Sequence, residues 1–106
     1  MSGIIEFEPG AAPPFRVRLK SGDQVADLTG SALFLSVLIN DTCYPIHGVL
    51  DTVDNVFWLD LNELEDFYVE GSQKGYLYIT WPNTVRPVGI GMVKLKTKRG
   101  CVWQPT

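Results

Sequence analysis

Short runs in which apolar and polar residues alternate recur about every ten residues along this chain, with turn-forming residues between them. In residues 15–20 the alternation separates an apolar face from a basic one: Phe15, Val17 and Leu19 against Arg16, Arg18 and Lys20. A period of two is that of a strand with one buried face. The chain is therefore predicted to be built from short strands.

The next two runs predict a pair of neighbouring strands. Residues 32–39 are apolar almost throughout, which is typical of a central strand covered on both faces. Asn40 and Asp41 predict a turn, after which the chain returns over residues 43–50. Because Pro45 lacks a backbone N–H, this second strand is expected at a sheet edge or at a bulge.

The rest of the chain predicts more strands and a single helical segment. Asn62 followed by Glu65 has the spacing of a helix N-terminus, so one or two helical turns are expected over residues 62–68. Gly89 and Gly91 indicate a bulge or a close approach to another backbone. Aromatic, β-branched and alternating patterns predict strands over residues 56–61, 76–81 and 88–97.

These elements predict an all-β fold, an antiparallel β-sandwich of six to eight strands with one short helical turn. An immunoglobulin-like strand order and a jelly roll remain alternatives. The chain of 106 residues is expected to form one sandwich domain, residues 15–98. Residues 1–14 are predicted to be an N-terminal arm with a Pro-rich connector, and residues 99–106 a C-terminal tail.

The charge balance indicates which kind of partner the chain is not expected to bind. Nine basic and twelve acidic residues give a net charge of −3, so there is no overall positive field and nucleic acid is not expected as a partner. The apolar stretches are too short to cross a bilayer, and the chain begins without the pattern of a signal peptide, so neither membrane insertion nor secretion is expected. Cys43 and Cys101 are interpreted as free thiols.

No constellation of catalytic or metal-ligating residues is recognisable in the sequence. His47 is the only histidine, and no nucleophile motif accompanies it. One histidine and two remote cysteines do not have the spacing of a zinc site. The acidic residues that are dense between Asp51 and Glu70 are interpreted as a solvated face. The sequence predicts a protein that is not an enzyme and that holds no cofactor or metal.

Candidate partner-binding residues lie near the chain ends and on two basic strand faces. The apolar residues at each end have too little core of their own to cover them, so burial against a partner is expected. If the basic faces lie opposite the acidic segment, they are interpreted as joining copies of the chain or binding an acidic scaffold. The alternative is that they keep exposed strands from unwanted pairing. The candidates are Ile4, Ile5, Phe7, Arg16, Arg18, Lys94, Lys96, Lys98, Arg99, Val102 and Trp103.

Aromatic residues support two further interpretations. The spacing of Tyr76, Tyr78 and Trp81, without an Arg or Lys assigned to the same face, favours core packing over a base-stacking platform. A second functional hypothesis is a carbohydrate- or protein-binding module that uses an exposed Trp58 or Trp81 as a flat platform.

One pattern spans residues 15–96. It runs from the alternating strand through Gly22, Leu28-Thr29-Gly30, Gly48-Val49 and Trp58-Leu59-Asp60-Leu61, then a short acidic helical turn, to Gly75-Tyr76-Leu77-Tyr78 and a last strand. This pattern resembles a small β-sandwich module of tailed bacteriophage virions, found at the N-terminus of upper baseplate proteins and in capsid cement and tail adaptor proteins.

The resemblance implies a non-enzymatic virion protein that binds and stabilises neighbouring subunits, as capsid cement or decoration or as a tail or baseplate adaptor. The expected partners are major capsid, tail or baseplate subunits, together with further copies of the chain in the assembled particle. The implied location is the virion, assembled in the host cytoplasm. The chain lacks the long downstream region of baseplate proteins, so no receptor-binding role is expected.

Overall fold

The structure of the chain is a computed structural model that describes residues 2–21 and 24–98. Its elements are short strands joined by tight turns, with one 3₁₀ helix, η1. They are β1 (Ser2–Phe7), β2 (Phe15–Val17), β3 (Lys20–Ser21), β4 (Gln24–Val25), β5 (Ala32–Ile39), β6 (Thr42–His47), β7 (Val49–Asp51), β8 (Val56–Leu59), η1 (Leu61–Leu64), β9 (Gly71–Thr80) and β10 (Val88–Thr97).

The strands form two main sheets. A five-stranded sheet has the order β1-β10-β9-β5-β6 and a three-stranded sheet the order β2-β8-β7, while β3 and β4 make a small hairpin. The order β10-β9-β5-β6 opposite β2-β8-β7 is the G-F-C-C′ and B-E-D arrangement of immunoglobulin-type sandwiches. The predicted all-β sandwich is confirmed, and the strand order favours the immunoglobulin-like alternative. All neighbours pair antiparallel except β1 and β10, which are parallel.

One hydrophobic core fills the space between the sheets. Alternate residues of β5 are buried, and those between them are only half-buried or exposed. Residues 32–39 therefore form a central strand as predicted, but the prediction that both faces are covered is wrong, because the second sheet lies on one side only. The core includes Leu33, Leu35, Val37, Ile39, Leu77, Ile79, Val93 and Leu95 from the large sheet and Val17, Phe57 and Leu59 from the small one.

The strand predicted over residues 43–50 divides at Gly48 into β6 and β7, which belong to different sheets. The backbone N–H of Gly48 donates to the Leu33 carbonyl at 2.8 Å. A Cβ at Gly48 would lie 3.2 Å from that oxygen and 3.2 Å from the Phe57 ring. The single continuous strand is thus a wrong prediction, because this glycine permits the close crossing from one sheet to the other.

The turn and edge predictions for the same region are confirmed. Asn40 and Asp41 have φ values of 50° and 65°, as a two-residue hairpin turn between β5 and β6 requires. Pro45 lies in β6, which is an edge strand. The predicted bulge is also present, because the pairing of β9 with β10 shifts between Gly89 and Gly91.

The helical segment is shorter than predicted and begins earlier. Asp60 is the N-cap, and its carboxylate accepts from the Asn62 N–H at 3.0 Å. The prediction of Asn62 as the cap is wrong, because its side chain bonds instead to both backbone groups of Ala12. Its Oδ1 accepts from the Ala12 N–H at 2.8 Å, and its Nδ2 donates to the Ala12 carbonyl at 3.2 Å. Asn62 thereby ties the connector after β1 to η1.

Candidate partner-binding surface

β1 carries two of the predicted partner-binding residues on the inner face of the large sheet. Ile5 is half-buried and packs against the core. Phe7 is 5% exposed, and its ring contacts that of the buried Tyr68. The structure therefore places Phe7 inside the hydrophobic core.

The other predicted residue of β1 lies on the opposite face of the sheet. The side chain of Ile4 is 64% exposed. Its register partner on β10 is Lys94, and the next outward pair is Glu6 with Lys96. The structure thus brings Ile4, Lys94 and Lys96 together.

This side of the large sheet, termed the outer face, continues across β10, β9 and β5. The register aligns Met92 with Tyr76 and Ser36 in one row, and Lys94 with Lys74 and Leu38 in the next. Met92 is 38% exposed, and Tyr76 and Leu38 are half-buried. We define the outer face by Ile4, Phe34, Leu38, Lys74, Tyr76, Tyr78, Met92, Lys94 and Lys96.

The aromatic residues of the outer face pack against one another. The rings of Phe34 and Tyr78 are stacked, with centroids 5.1 Å apart and planes 18° apart. His47 lies beyond Phe34, at 6.1 Å between centroids, and Gly89 lies beside Tyr78. Because the two rings stack on each other and are half-buried, they offer less aromatic surface to a flat ligand than a free ring would.

The prediction that Tyr76 and Tyr78 pack in the core is wrong, whereas Trp81 does pack against the core. The inward positions of β9 belong to Leu77 and Ile79, so the two tyrosines face outward. The sequence contains a signal for this outward orientation. Ser72 and Lys74 have the same parity as the tyrosines along the strand, and such polar residues mark a solvent-facing side.

The predicted residues Arg16 and Arg18 lie on the three-stranded sheet and hairpin side, away from the outer face. The guanidinium of Arg16 stands 5.6 Å from the centroid of the Trp58 ring, a cation–π contact. Arg18 donates to the backbone carbonyl of Asp54 at 3.2 Å. The two basic strand faces of the sequence are therefore separate in space, and the Trp58 platform has a cation over its ring.

A shallow hollow of about 280 Å³ lies where β1 and β10 end and β9 begins. Glu6, Glu70, Lys96 and Lys98 all contribute to its lining. Acidic and basic side chains thus share one surface here, rather than lying on opposite sides of the molecule. The charges that line the hollow are therefore of both signs, and they do not create a field of one sign.

Polar groups beneath the hollow are satisfied internally. The buried Thr97 hydroxyl donates to the Val69 carbonyl, and the buried Gln73 amide donates to the same carbonyl at 2.7 Å. These groups stabilise the loop before β9. Within residues 2–21 and 24–98, the buried polar atoms of both side chains have hydrogen-bond partners.

Three of the predicted partner-binding residues, Arg99, Val102 and Trp103, lie outside the described residues, as do Cys101 and the predicted tail. Cys43 is an exposed free thiol on β6. The part of the chain that the structure describes contains no cluster of three or more His, Cys, Asp or Glu that could hold a metal ion. None of its helices has the length and apolarity needed to span a membrane.

The chain matches no protein-family model and no curated protein sequence.

Proposed function

We propose that this protein is a non-enzymatic structural protein of a bacteriophage virion that binds and stabilises neighbouring subunits, as capsid cement or as a tail or baseplate adaptor. The observation that carries the proposal is the outer face, where apolar and aromatic side chains lie exposed or half-buried. The free face of an antiparallel sheet in water is ordinarily polar. Exposed apolar patches mark surfaces that another protein covers.

The chemistry of the outer face suits a protein partner. Ile4 and Met92 are exposed apolar residues, and Lys74 and Lys94 lie in the row beside Met92. Protein interfaces combine an apolar centre with a polar rim, and lysines favour a partner surface that is acidic. Burial of one large apolar side chain contributes about 1.5–3 kcal/mol. Many weak contacts of this size add up in a particle that holds many copies.

The alternative function, a carbohydrate- or protein-binding module built on exposed aromatic rings, has less support. Phe34 and Tyr78 stack on each other, and Arg16 lies over the Trp58 ring. Sugar recognition through stacking needs a ring with a free side. The alternative predicts a chain that stays soluble and binds a small ligand.

The direct test is to purify particles from a lysate of the source on a density gradient and to quantify this chain in every fraction by mass spectrometry. The proposal expects the chain in a fixed ratio to the major capsid protein or to tail proteins. Heads and tails separated on the gradient distinguish cement from adaptor. A chain found only among the soluble proteins at the top of the gradient would contradict the proposal.

A further inference from the structure

We propose that β1 is a self-association site, at which a second copy of the chain adds its own β1 antiparallel and the two five-stranded sheets become one continuous sheet. The inference goes beyond the proposed function, because such a dimer forms with or without a virion. It rests on the backbone of β1, on the side chains along its edge and on the contrast with the opposite edge of the sheet.

The outward edge of β1 carries backbone groups that no strand pairs with in the part of the chain that the structure describes. The carbonyl of Phe7 accepts from the Lys98 N–H at 3.2 Å, so the backbone of Phe7 faces β10. Backbone groups alternate in direction along a strand, so those of Ile4 and Glu6 point away from β10. None of the described strands pairs with this side of β1. A row of free N–H and C=O groups of this kind is a template for another strand.

The two edges of the large sheet differ in how well they are protected against the addition of another strand. β6 contains Pro45, which lacks the N–H that an added strand would need. β1 contains no proline or lysine, and its pairing with β10 is regular from Ser2 to Phe7. Proteins ordinarily protect a sheet edge with proline, lysine or a bulge. β1 has none of these and is the edge open to addition.

The side chains of β1 are complementary to a second β1 when Ile4 faces Ile4 across a two-fold axis. Each Ile4 is 64% exposed alone and would be covered by its counterpart. In this register Glu6 lies opposite Ser2 of the second copy, and Glu6 has Lys96 beside it within its own chain. No like charges oppose each other. A two-fold contact that uses the same strand twice is the usual geometry of homodimers.

The first test measures the molar mass of the full chain by sedimentation equilibrium over a series of concentrations. A concentration-dependent dimer is expected. Ile4→Lys places two like charges opposite each other and is expected to weaken dimerisation by at least about tenfold. Val49→Lys is the matched control, because Val49 is 69% exposed on the other sheet, and it should leave the dimer intact. Circular dichroism verifies that both variants are folded.

The second test fixes the register by cross-linking, in a chain with Cys43→Ser and Cys101→Ser. Residues in a hydrogen-bonded antiparallel pair have Cα atoms about 5.5 Å apart, within the span of a disulfide. Ile4→Cys is therefore expected to give a covalent dimer under mild oxidation. Glu6→Cys is the control, because its two thiols would be separated by about four residues of strand, roughly 13 Å, and should stay reduced.

A chain that remains monomeric at every concentration would overturn the inference. So would a dimer that Ile4→Lys leaves unchanged, or one in which Glu6→Cys cross-links as fast as Ile4→Cys. Met92→Lys separates the two proposals, because Met92 lies on β10, one strand in from the edge. It should impair binding to a particle without weakening the dimer.

Discussion

The ring of Phe7 stands edge-on against the ring of Tyr68, with centroids 5.2 Å apart and planes at 79°. Both side chains are nearly inaccessible to solvent, at 5% and 2% exposure. The contact joins β1, at the start of the chain, to the segment that follows η1. The edge strand is therefore held by core packing as well as by its hydrogen bonds to β10.

Phe7→Ala is expected to lower the free energy of unfolding by about 3–5 kcal/mol, because it removes a buried ring and leaves a cavity. Urea denaturation at low protein concentration measures the loss. Ile4→Ala is the control on the same strand, and as an exposed position it should cost no more than about 0.5 kcal/mol. Equal losses for the two variants would show that Phe7 does not belong to the core.

Tyr68→Phe is expected to maintain or increase stability at neutral pH. The Tyr68 hydroxyl is buried and has no hydrogen-bond partner among the described residues. An unsatisfied buried polar group costs about 1–3 kcal/mol, so its removal should gain up to that amount in urea denaturation. A loss of more than about 1 kcal/mol would reveal a hydrogen bond to this hydroxyl.

Tyr68→Phe is also expected to change how the stability of the protein depends on pH in the alkaline range. Burial raises the pKa of the Tyr68 phenol above its ordinary value of 10.0, and the nearby charges of Asp60 and Glu63 raise it further. The folded state thus holds this proton more tightly than the unfolded state. The stabilisation that comes from this raised pKa is present below pH 10.0 and is lost as the pH rises above that value. Tyr68→Phe should reduce this loss, whereas Tyr76→Phe should retain it.

Two glycines of the paired strands β9 and β10 are expected to respond oppositely to a methyl group. A Cβ at Gly75 would lie 2.9 Å from the Leu35 Cδ1 and 3.2 Å from the Val93 Cγ2, so Gly75→Ala should cost about 1–3 kcal/mol. A Cβ at Gly89 would meet only the Tyr78 ring, at 3.7 Å, and Gly89→Ala should be neutral or stabilising by about 0.4–1 kcal/mol. Thermal unfolding compares the two. A harmless Gly75→Ala would mean that Leu35 and Val93 pack around this glycine more loosely than described.

Asp51 is expected to contribute to acid sensitivity. The Asp54 N–H, with the Trp58 indole and the Val53 N–H, lowers the pKa of this carboxyl below its ordinary value of 3.8. The stabilisation is present above pH 3.8 and is lost as the pH falls through the lower pKa of the folded state. Asp51→Asn should be less stable at neutral pH and lose less on acidification, as thermal melts at successive pH values would measure. An exposed control, Asp66→Asn, should follow the wild-type curve, and parallel curves for Asp51→Asn would refute the assignment.

The sequence predicts the strands better than it predicts their faces. Alternation in residues 15–20 correctly separates Val17 in the core from Arg16 outside, because one face is wholly apolar and the other wholly basic. In β9 both faces are apolar over Leu77 and Tyr78, so alternation within these residues cannot decide which faces inward, and only Ser72 and Lys74 at the start of the strand indicate the outward side. Tertiary packing determines which face of β9 is buried, because the second sheet covers only one side.

The local capping pattern fails at Asn62 for a similar reason. Its spacing to Glu65 fits a capping box, but the backbone N–H and C=O of Ala12, 50 residues away in sequence, compete for the same side chain. No sequence motif predicts the outer face either. It exists because the parallel pairing of β1 with β10 brings Ile4 beside Lys94. Candidate partner-binding residues near the N-terminus could be named from the sequence, whereas their division between core and surface could not be predicted.

Co-sedimentation with purified particles from the source tests the central claim, that the outer face binds a neighbouring subunit. Met92→Lys introduces a charge in that face, and Val49→Lys introduces one at an exposed apolar position on the other sheet. Wild-type protein and Val49→Lys are expected to sediment with the particles and Met92→Lys to remain in the supernatant, and circular dichroism should show that all three are folded. Equal binding of Met92→Lys and wild type, or no binding of the wild type, would contradict it.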